Sequence, residues 1–348
     1  MVNGLFSPYQ LGGLSLRNRI CRSATNDYAG NEDGTVSQAQ MAIYRALAQH
    51  EVGLIFTGHA CVSPHGRADS RQNAMYGDEF IPAQQALTQM VHALGGCIVQ
   101  QLSHAGGKSL PLDGPPPAPS AMEYVPGRPA RALSPDEILQ IQDNFAAAAV
   151  RARAAGYDGV QIHCAHGYLL SEFIDPAWNQ RTDAYGGAAQ NRLRMARETI
   201  GKTRQAVGAD FPIFIKIHCN TQGEDPDYLQ TLAAFLDECA RMGVVAAEIS
   251  GYDFAKQPPT ARRYYLDQAQ TLAKRTALPL ILVGGLRDRA DLQAALDGGM
   301  AMASVCRALI CQDDFVLRAH EGDASDCLGC FGCFQCYQKT GKRCVLHR

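Results

Sequence analysis

The chain has 348 residues, enough for two domains or for one α/β barrel, a fold that runs past about 250 residues as a single unit. Charged residues make up 19% of it and the formal charge is −2 with both signs interspersed, which excludes the strongly basic footprint of a nucleic-acid or lipid-surface binder. No run approaches the roughly 18 consecutive apolar residues of a membrane span, so the expected partner is a small molecule and no membrane is involved.

The start, Met1-Val2-Asn3-Gly4-Leu5-Phe6-Ser7-Pro8, shows neither a basic n-region nor an apolar h-region, and a cytoplasmic location is expected. The 13 cysteines are an odd number in a large core, which argues against a disulfide framework and for thiols or metal ligands. Next comes a predicted hairpin over 6–16, with Pro8 and Gly12-Gly13 between short apolar runs, which caps one end of the fold.

From there one unit repeats. Strands are predicted over 19–25, 52–60, 96–102, 159–165, 211–219, 244–251, 279–285 and 301–309. Between them lie amphipathic helices, among them 37–49, 135–155, 191–207, 226–242 and 288–296, and Asp225 before Pro226 reads as a cap for the fourth of these. Such alternation demands a parallel sheet. Eight strands with eight crossovers predict a (β/α)8 TIM barrel with an N-terminal hairpin cap and a short Cys-rich C-terminal tail; a six- or seven-stranded doubly wound sheet is the alternative. The domains are then 1–325, the barrel, and 326–348, the tail. Residues 106–131, rich in Pro and Gly, form a long loop after the third strand that is expected to shape a substrate pocket.

The densest chemistry sits where the fourth strand hands over to its loop. His163, His166 and Tyr168 fall within six residues there, on the edge of an α/β fold where active sites are found. His-x-x-His also fits two zinc ligands, with His218 or Asp253 as a third, but Gln101 and Lys216 would then have no task. Lys216 stands inside a strand, and burying its ammonium costs several kcal/mol unless an anion meets it.

Taken together these motifs resemble the Old Yellow Enzyme family of flavin-dependent ene-reductases. The resemblance rests on Leu5-Phe6-Ser7-Pro8 with Leu16-Arg17-Asn18-Arg19-Ile20, on Gln101-Leu102-Ser103-His104-Ala105-Gly106, and on His163, His166 and Tyr168. It continues through Arg181-Thr182-Asp183-Ala184-Tyr185-Gly186-Gly187, Asn191-Arg192 and Val283-Gly284-Gly285, in the family's order. It implies an FMN across the mouth of the barrel and NAD(P)H as reductant. Gln101 matches the residue that reads the pyrimidine edge. Lys216, an Arg in some relatives, matches the cation at N1, and the reduced flavin is expected to be the anion it needs. Gly284, Gly285 and Arg307 match the phosphate cradle, to which Ser250 and Gly251 add; Cys306 stands where relatives often carry Gly. Ser23, Ala24 and Thr25 match flavin contacts, Thr25 or Asn26 takes a position that tunes the potential in relatives, and Tyr28 matches a substrate-pocket aromatic.

The implied reaction is reduction of the C=C bond of α,β-unsaturated carbonyl compounds. His163 and His166 hold the substrate oxygen by N–H donation and Tyr168 supplies the proton, since a phenol with a pKa near about 10 is protonated at neutral pH. The tail carries Cys327, Cys330, Cys333 and Cys344, with Cys336 able to replace any one of them. Its spacing is similar to the Fe–S segment of the 2,4-dienoyl-CoA reductase branch, which implies a [4Fe–4S] cluster; zinc and free thiols are the alternatives. The flavin site is expected to be built from the barrel without the tail. A homo-oligomer is expected. An electron-transfer or accessory subunit serving a partner enzyme, or a related flavin dehydrogenase or demethylase, are the other functions this pattern allows.

Overall fold

The computed structural model describes residues 4–335 and 341–346, so Cys336 lies outside the described residues, as do residues 1–3. Eight parallel strands close into a barrel: β1 Ile20–Arg22, β2 Leu54–Phe56, β3 Ile98–Ser103, β4 Val160–Cys164, β5 Ile213–His218, β6 Val244–Ser250, β7 Leu280–Val283 and β8 Met302–Val305. Each pairs with its successor and β8 returns to β1, which rules out the open doubly wound sheet. The strands are buried on both faces, as a sheet covered by helices requires.

The outer ring is α1 Gln38–Gln49, α2 Ile81–Ala93, α3 Pro135–Ala154, α4 Arg194–Val207, α5 Tyr228–Arg241, α6 Leu266–Ala273, α7 Arg289–Asp297 and α8 Phe315–Glu321. Capping boxes start α1, from Ser37 and Gln40, and α3, from Ser134 and Glu137; each satisfies two backbone N–H groups that the first helical turn leaves open. Two expectations fail locally. The helix predicted over 191–207 is interrupted after Arg192 and resumes as α4. Asp225 does not cap α5, whose N-cap is Asp227; its carboxylate is taken by the buried guanidinium of Arg192, because an unpaired buried cation costs more than a lost cap.

The predicted hairpin pairs Tyr9–Leu11 with Leu14–Leu16 through Gly12 and Gly13, both at positive φ, 56° and 85°. A Cβ on Gly12 would fall 2.5 Å from Val245 of β6. Leu11 and Leu16 join Leu54, Phe56, Phe214 and Met302 in an apolar plug that fills the barrel's lower interior. Arg17 and Arg19 fasten this end: Arg17 donates to the carbonyls of Ala48 and Leu94 (3.1 and 2.7 Å), Arg19 to those of Ala301 and Met300 (2.7 and 3.0 Å). Beyond β3, the long loop pairs Pro117–Ala118 with Arg131–Ala132 and stacks Tyr124 on Trp178, from the segment after β4, at 5.0 Å. Among the described residues, no helix is long and apolar enough to cross a membrane.

Candidate active site

A cavity of about 420 Å³ opens at the C-terminal ends of the strands. Except for Gly251, every catalytic, flavin and substrate residue named from the sequence lines it. Gly251 serves packing instead: a Cβ there would fall 2.3 Å from the ring of Tyr265.

The floor is a connected polar layer above the apolar plug. His163, Lys216 and Glu248 stand in register on β4, β5 and β6. Lys216 Nζ donates to Ser23 Oγ at 2.6 Å and lies 3.3 Å from Glu248 Oε2. Glu248 also accepts from Gln161 (3.0 Å) and Ser304 (2.7 Å), and Gln101 donates to Gln161 Oε1 at 2.7 Å. Glu248, one strand over, thus supplies Lys216 with an anion from within the barrel. The sequence reading missed this carboxylate, although Glu within the apolar run of β6 was a visible signal.

One wall carries the histidines. His163 is buried and its Nδ1 has no hydrogen-bond partner, while its ring meets Tyr168 edge-on at 5.5 Å and His166 at 5.1 Å. Burial, then the nearby Lys216 charge, hold His163 and His166 well below the usual imidazole pKa, so both are neutral. His166 sits at φ +62°, donates its backbone N–H to His218 Nε2 at 2.7 Å, and places its own Nε2 3.0 Å from Ser250 Oγ. Ser250, expected at the phosphate, therefore contacts His166.

A further residue escaped the sequence reading. His59, just beyond β2, has a buried Nε2 without a partner and a ring 5.1 Å from that of Tyr168. The Ala68 N–H donates to Gln72 Oε1 at 2.6 Å, which turns the Gln72 NH₂ toward His59 Nδ1 at 2.7 Å. Ser103 Oγ lies 2.7 Å from the same Nδ1, so one ring nitrogen of His59 is held by Gln72 and Ser103 while the other faces the cavity wall. Its signal was the same as for His163, an imidazole at a strand's exit. Lys108, the one residue of the long loop on the cavity wall, donates to the His166 carbonyl at 3.2 Å.

The other end is a cradle for an anion. Gly284 and Gly285 have φ of 135° and 72°, and a Cβ on Gly285 would fall 2.6 Å from the ring of Tyr264. Arg307 donates to Tyr264 Oη and to the Gly329 carbonyl at 2.9 Å. Cys306 Sγ lies 3.1 Å from Thr25 Oγ1; burial opposes its ionisation, yet Arg22, Thr25 and Lys342 together hold its pKa below the ordinary thiol value. Tyr28 lies under the Lys342 ammonium, 5.4 Å from its ring. Cys327, Phe331, Phe334 and Lys342 of the tail line this cavity, so the expectation of a flavin site independent of the tail is corrected.

The thiols of Cys327, Cys330, Cys333 and Cys344 border one narrow cleft beside Arg307. Among the described residues, no three His, Cys, Asp or Glu side chains are drawn together as a preformed metal site, and Cys344 Sγ lies 3.5 Å from Cys311 Sγ.

Residues 4–326 match the NADH:flavin oxidoreductase / NADH oxidase family. The chain is 30% identical over 331 residues to the NADPH dehydrogenase of Bacillus subtilis, covering 91% of itself and 94% of that protein. It is 32% identical over 334 residues to the NADH oxidase of Thermoanaerobacter brockii but spans only 51% of that longer relative. Among solved structures it superposes on morphinone reductase in complex with tetrahydroNAD with a TM-score of 0.79 at 28% identity, covering 91% and 90% of the two chains. The Old Yellow Enzyme homologue from Zymomonas mobilis gives 0.78 at 28% identity, with 91% and 92% covered.

Proposed function

The chain belongs to the NADH:flavin oxidoreductase / NADH oxidase family, that of Old Yellow Enzyme, and on that premise we propose that it is an FMN-dependent NAD(P)H oxidoreductase that reduces the C=C bond of α,β-unsaturated carbonyl compounds. The residues present suit FMN. Gln101 offers an amide to the pyrimidine edge, Lys216 is ordered by Glu248 at the floor, and Gly284, Gly285 and Arg307 form an anion cradle against which Tyr264 packs. FMN reduced by NAD(P)H supplies a hydride.

His163 carries the substrate half of the reading. A buried neutral imidazole with an unpartnered nitrogen on a cavity wall is a preorganised site for a polar substrate atom, and N–H donation from it stabilises the negative charge that grows on a carbonyl oxygen. Tyr168, beside it, is the proton donor to the α-carbon: a phenol is protonated at neutral pH and needs no prior charging. His166, braced by Ser250, gives the second donor.

In the tail, Cys327, Cys330, Cys333 and Cys344 form an all-thiol donor set around one cleft, which suits a [4Fe–4S] cluster, or zinc as the alternative. Loading requires the thiols to close up. The thiol-rich tail favours as second reading an electron-transfer subunit for a partner. Anaerobic turnover of 2-cyclohexenone with NADPH or NADH separates the two. Reduction by the isolated chain supports the ene-reductase; an FMN-loaded chain that leaves the enone intact supports the subunit.

A further inference from the structure

We propose that the Cys-rich tail completes the flavin-phosphate site, with Phe331 and Gly329 as positioning residues for Arg307. The inference rests on the FMN reading above. The Arg307 guanidinium is held from two directions by tail atoms: the Phe331 ring lies against its face at 4.0 Å, and the Gly329 carbonyl accepts from Nη1 at 2.9 Å. A guanidinium is planar and carries five N–H donors, so fixing its plane on a ring, one donor on the Gly329 carbonyl and one on Tyr264 Oη leaves the other donors aimed in set directions.

The tail reaches that position by two left-handed residues close together, Gly329 at φ 72° and Phe331 at φ 57°. Neither is incidental. A Cβ on Gly329 would fall 2.6 Å from the Pro259 carbonyl and 2.8 Å from Arg287 Nη1, so the chain passes there only as glycine. Arg287 in turn donates to the Cys327 carbonyl at 3.3 Å, tying the start of the turn to the loop after β7. Phe331 holds positive φ without glycine's freedom, a backbone cost that the contact with Arg307 offsets.

The charge pattern agrees. Lys108, Arg287, Arg307 and Lys342 line the cavity, Lys216 has its own carboxylate beneath it, and among the described residues no Asp or Glu lies on the wall. An anion is what such a wall accepts, and Arg307 with its tail partners stands beside the glycine cradle. The thiol cleft shares Arg307, Cys327 and Phe331 with the main cavity, so the two have a wall in common.

The test is titration of the full-length apoprotein with FMN and with riboflavin, which differ only in the phosphate. The wild type binds FMN more tightly than riboflavin. Phe331→Ala raises the FMN dissociation constant about fivefold or more, the scale of a desolvated cation–π contact, and changes riboflavin by less than about twofold. Phe331→Trp keeps FMN affinity. Phe331→Leu, which keeps bulk but lacks the ring, repeats the loss and covers the case in which the alanine variant does not fold. In an Arg307→Ala background the Phe331 change adds nothing to FMN binding. Equal losses for the two flavins, or additive losses with Arg307→Ala, overturn the inference while leaving FMN binding in place. A wild type that binds neither flavin removes the underlying reading itself.

Discussion

Lys216 and Glu248 face each other across β5 and β6 with nitrogen and oxygen 3.3 Å apart, side chains 2% and 0% exposed. The pair is fastened from both sides, Lys216 by Ser23 and Glu248 by Gln161 and Ser304. Lone pairs and protons left over by the ion pair are thus spent on neighbours, the condition under which a buried pair is tolerated. The barrel thereby holds a cation at the floor of its cavity in a fixed place before any ligand arrives.

Lys216→Met leaves Glu248 buried without its counter-charge and is expected to lower stability by about 3–5 kcal/mol. The double variant Lys216→Met/Glu248→Leu recovers a large part of that loss, because no isolated charge remains. Urea unfolding of the three proteins measures it. A single variant as stable as wild type, or a double variant worse than the single, contradicts the pairing.

Stability should fall as the pH drops below about 6.5. Burial lowers the pKa of His59 to about 4 and of His104 and His218 to about 3, and lies first among the causes at His163 and His166 as well. Each group binds its proton more weakly folded than unfolded. Above the unfolded value both states are neutral and pH has no effect through them; below it the unfolded chain takes up protons that the folded chain refuses. Each contributes a slope of up to about 1.4 kcal/mol per pH unit until its folded pKa is reached. Asp27 and Glu172, raised by burial, act in the opposite sense and offset part of this. His104→Gln, outside the cavity, makes the decline shallower, and an unchanged slope in that variant speaks against this account.

Much of this was legible in the sequence, because the informative signals were local. The eight apolar runs became the eight strands, and Gly12-Gly13 became the hairpin turn that positive φ demands. His163, His166 and Tyr168 came together because a strand's exit keeps six residues in one place. What stayed hidden was long-range. Glu248 lies 32 residues beyond Lys216 and meets it only through strand register. His59 is held by Gln72 and Ser103, 13 and 44 residues away, and Arg307 finds the tail only after the chain reverses at Gly329 and Phe331. Asp225 went to Arg192 for the same reason: ion pairing in three dimensions overrode a helix-start pattern.

Replacing both His163 and His166 by Ala should leave FMN bound and slow enone reduction at least roughly tenfold, a floor below the roughly hundredfold that loss of one oxyanion donor costs. Phenol ligands should also lose their charge-transfer band, because their oxygen loses its anchor. Single-turnover reoxidation of the reduced enzyme by 2-cyclohexenone reads the first effect and a phenol titration the second. Unchanged rates mean that the histidines do not hold the substrate.

Protein prepared anaerobically from iron-replete cells should carry about four iron atoms per chain, as a Cys₄-ligated [4Fe–4S] cluster requires. Cys330→Ala, at an exposed thiol on the cleft, removes the iron. Metal analysis decides it. About one zinc per chain supports the structural alternative, and metal-free protein from such cells rejects both.

The visible spectrum of the purified protein, taken before and after acid release of its chromophore, tests the central claim most directly. The arrangement of Gln101, Lys216, Gly285 and Arg307 around one cavity predicts a yellow protein that releases about one FMN per chain. A colourless protein that cannot be reconstituted with FMN contradicts it.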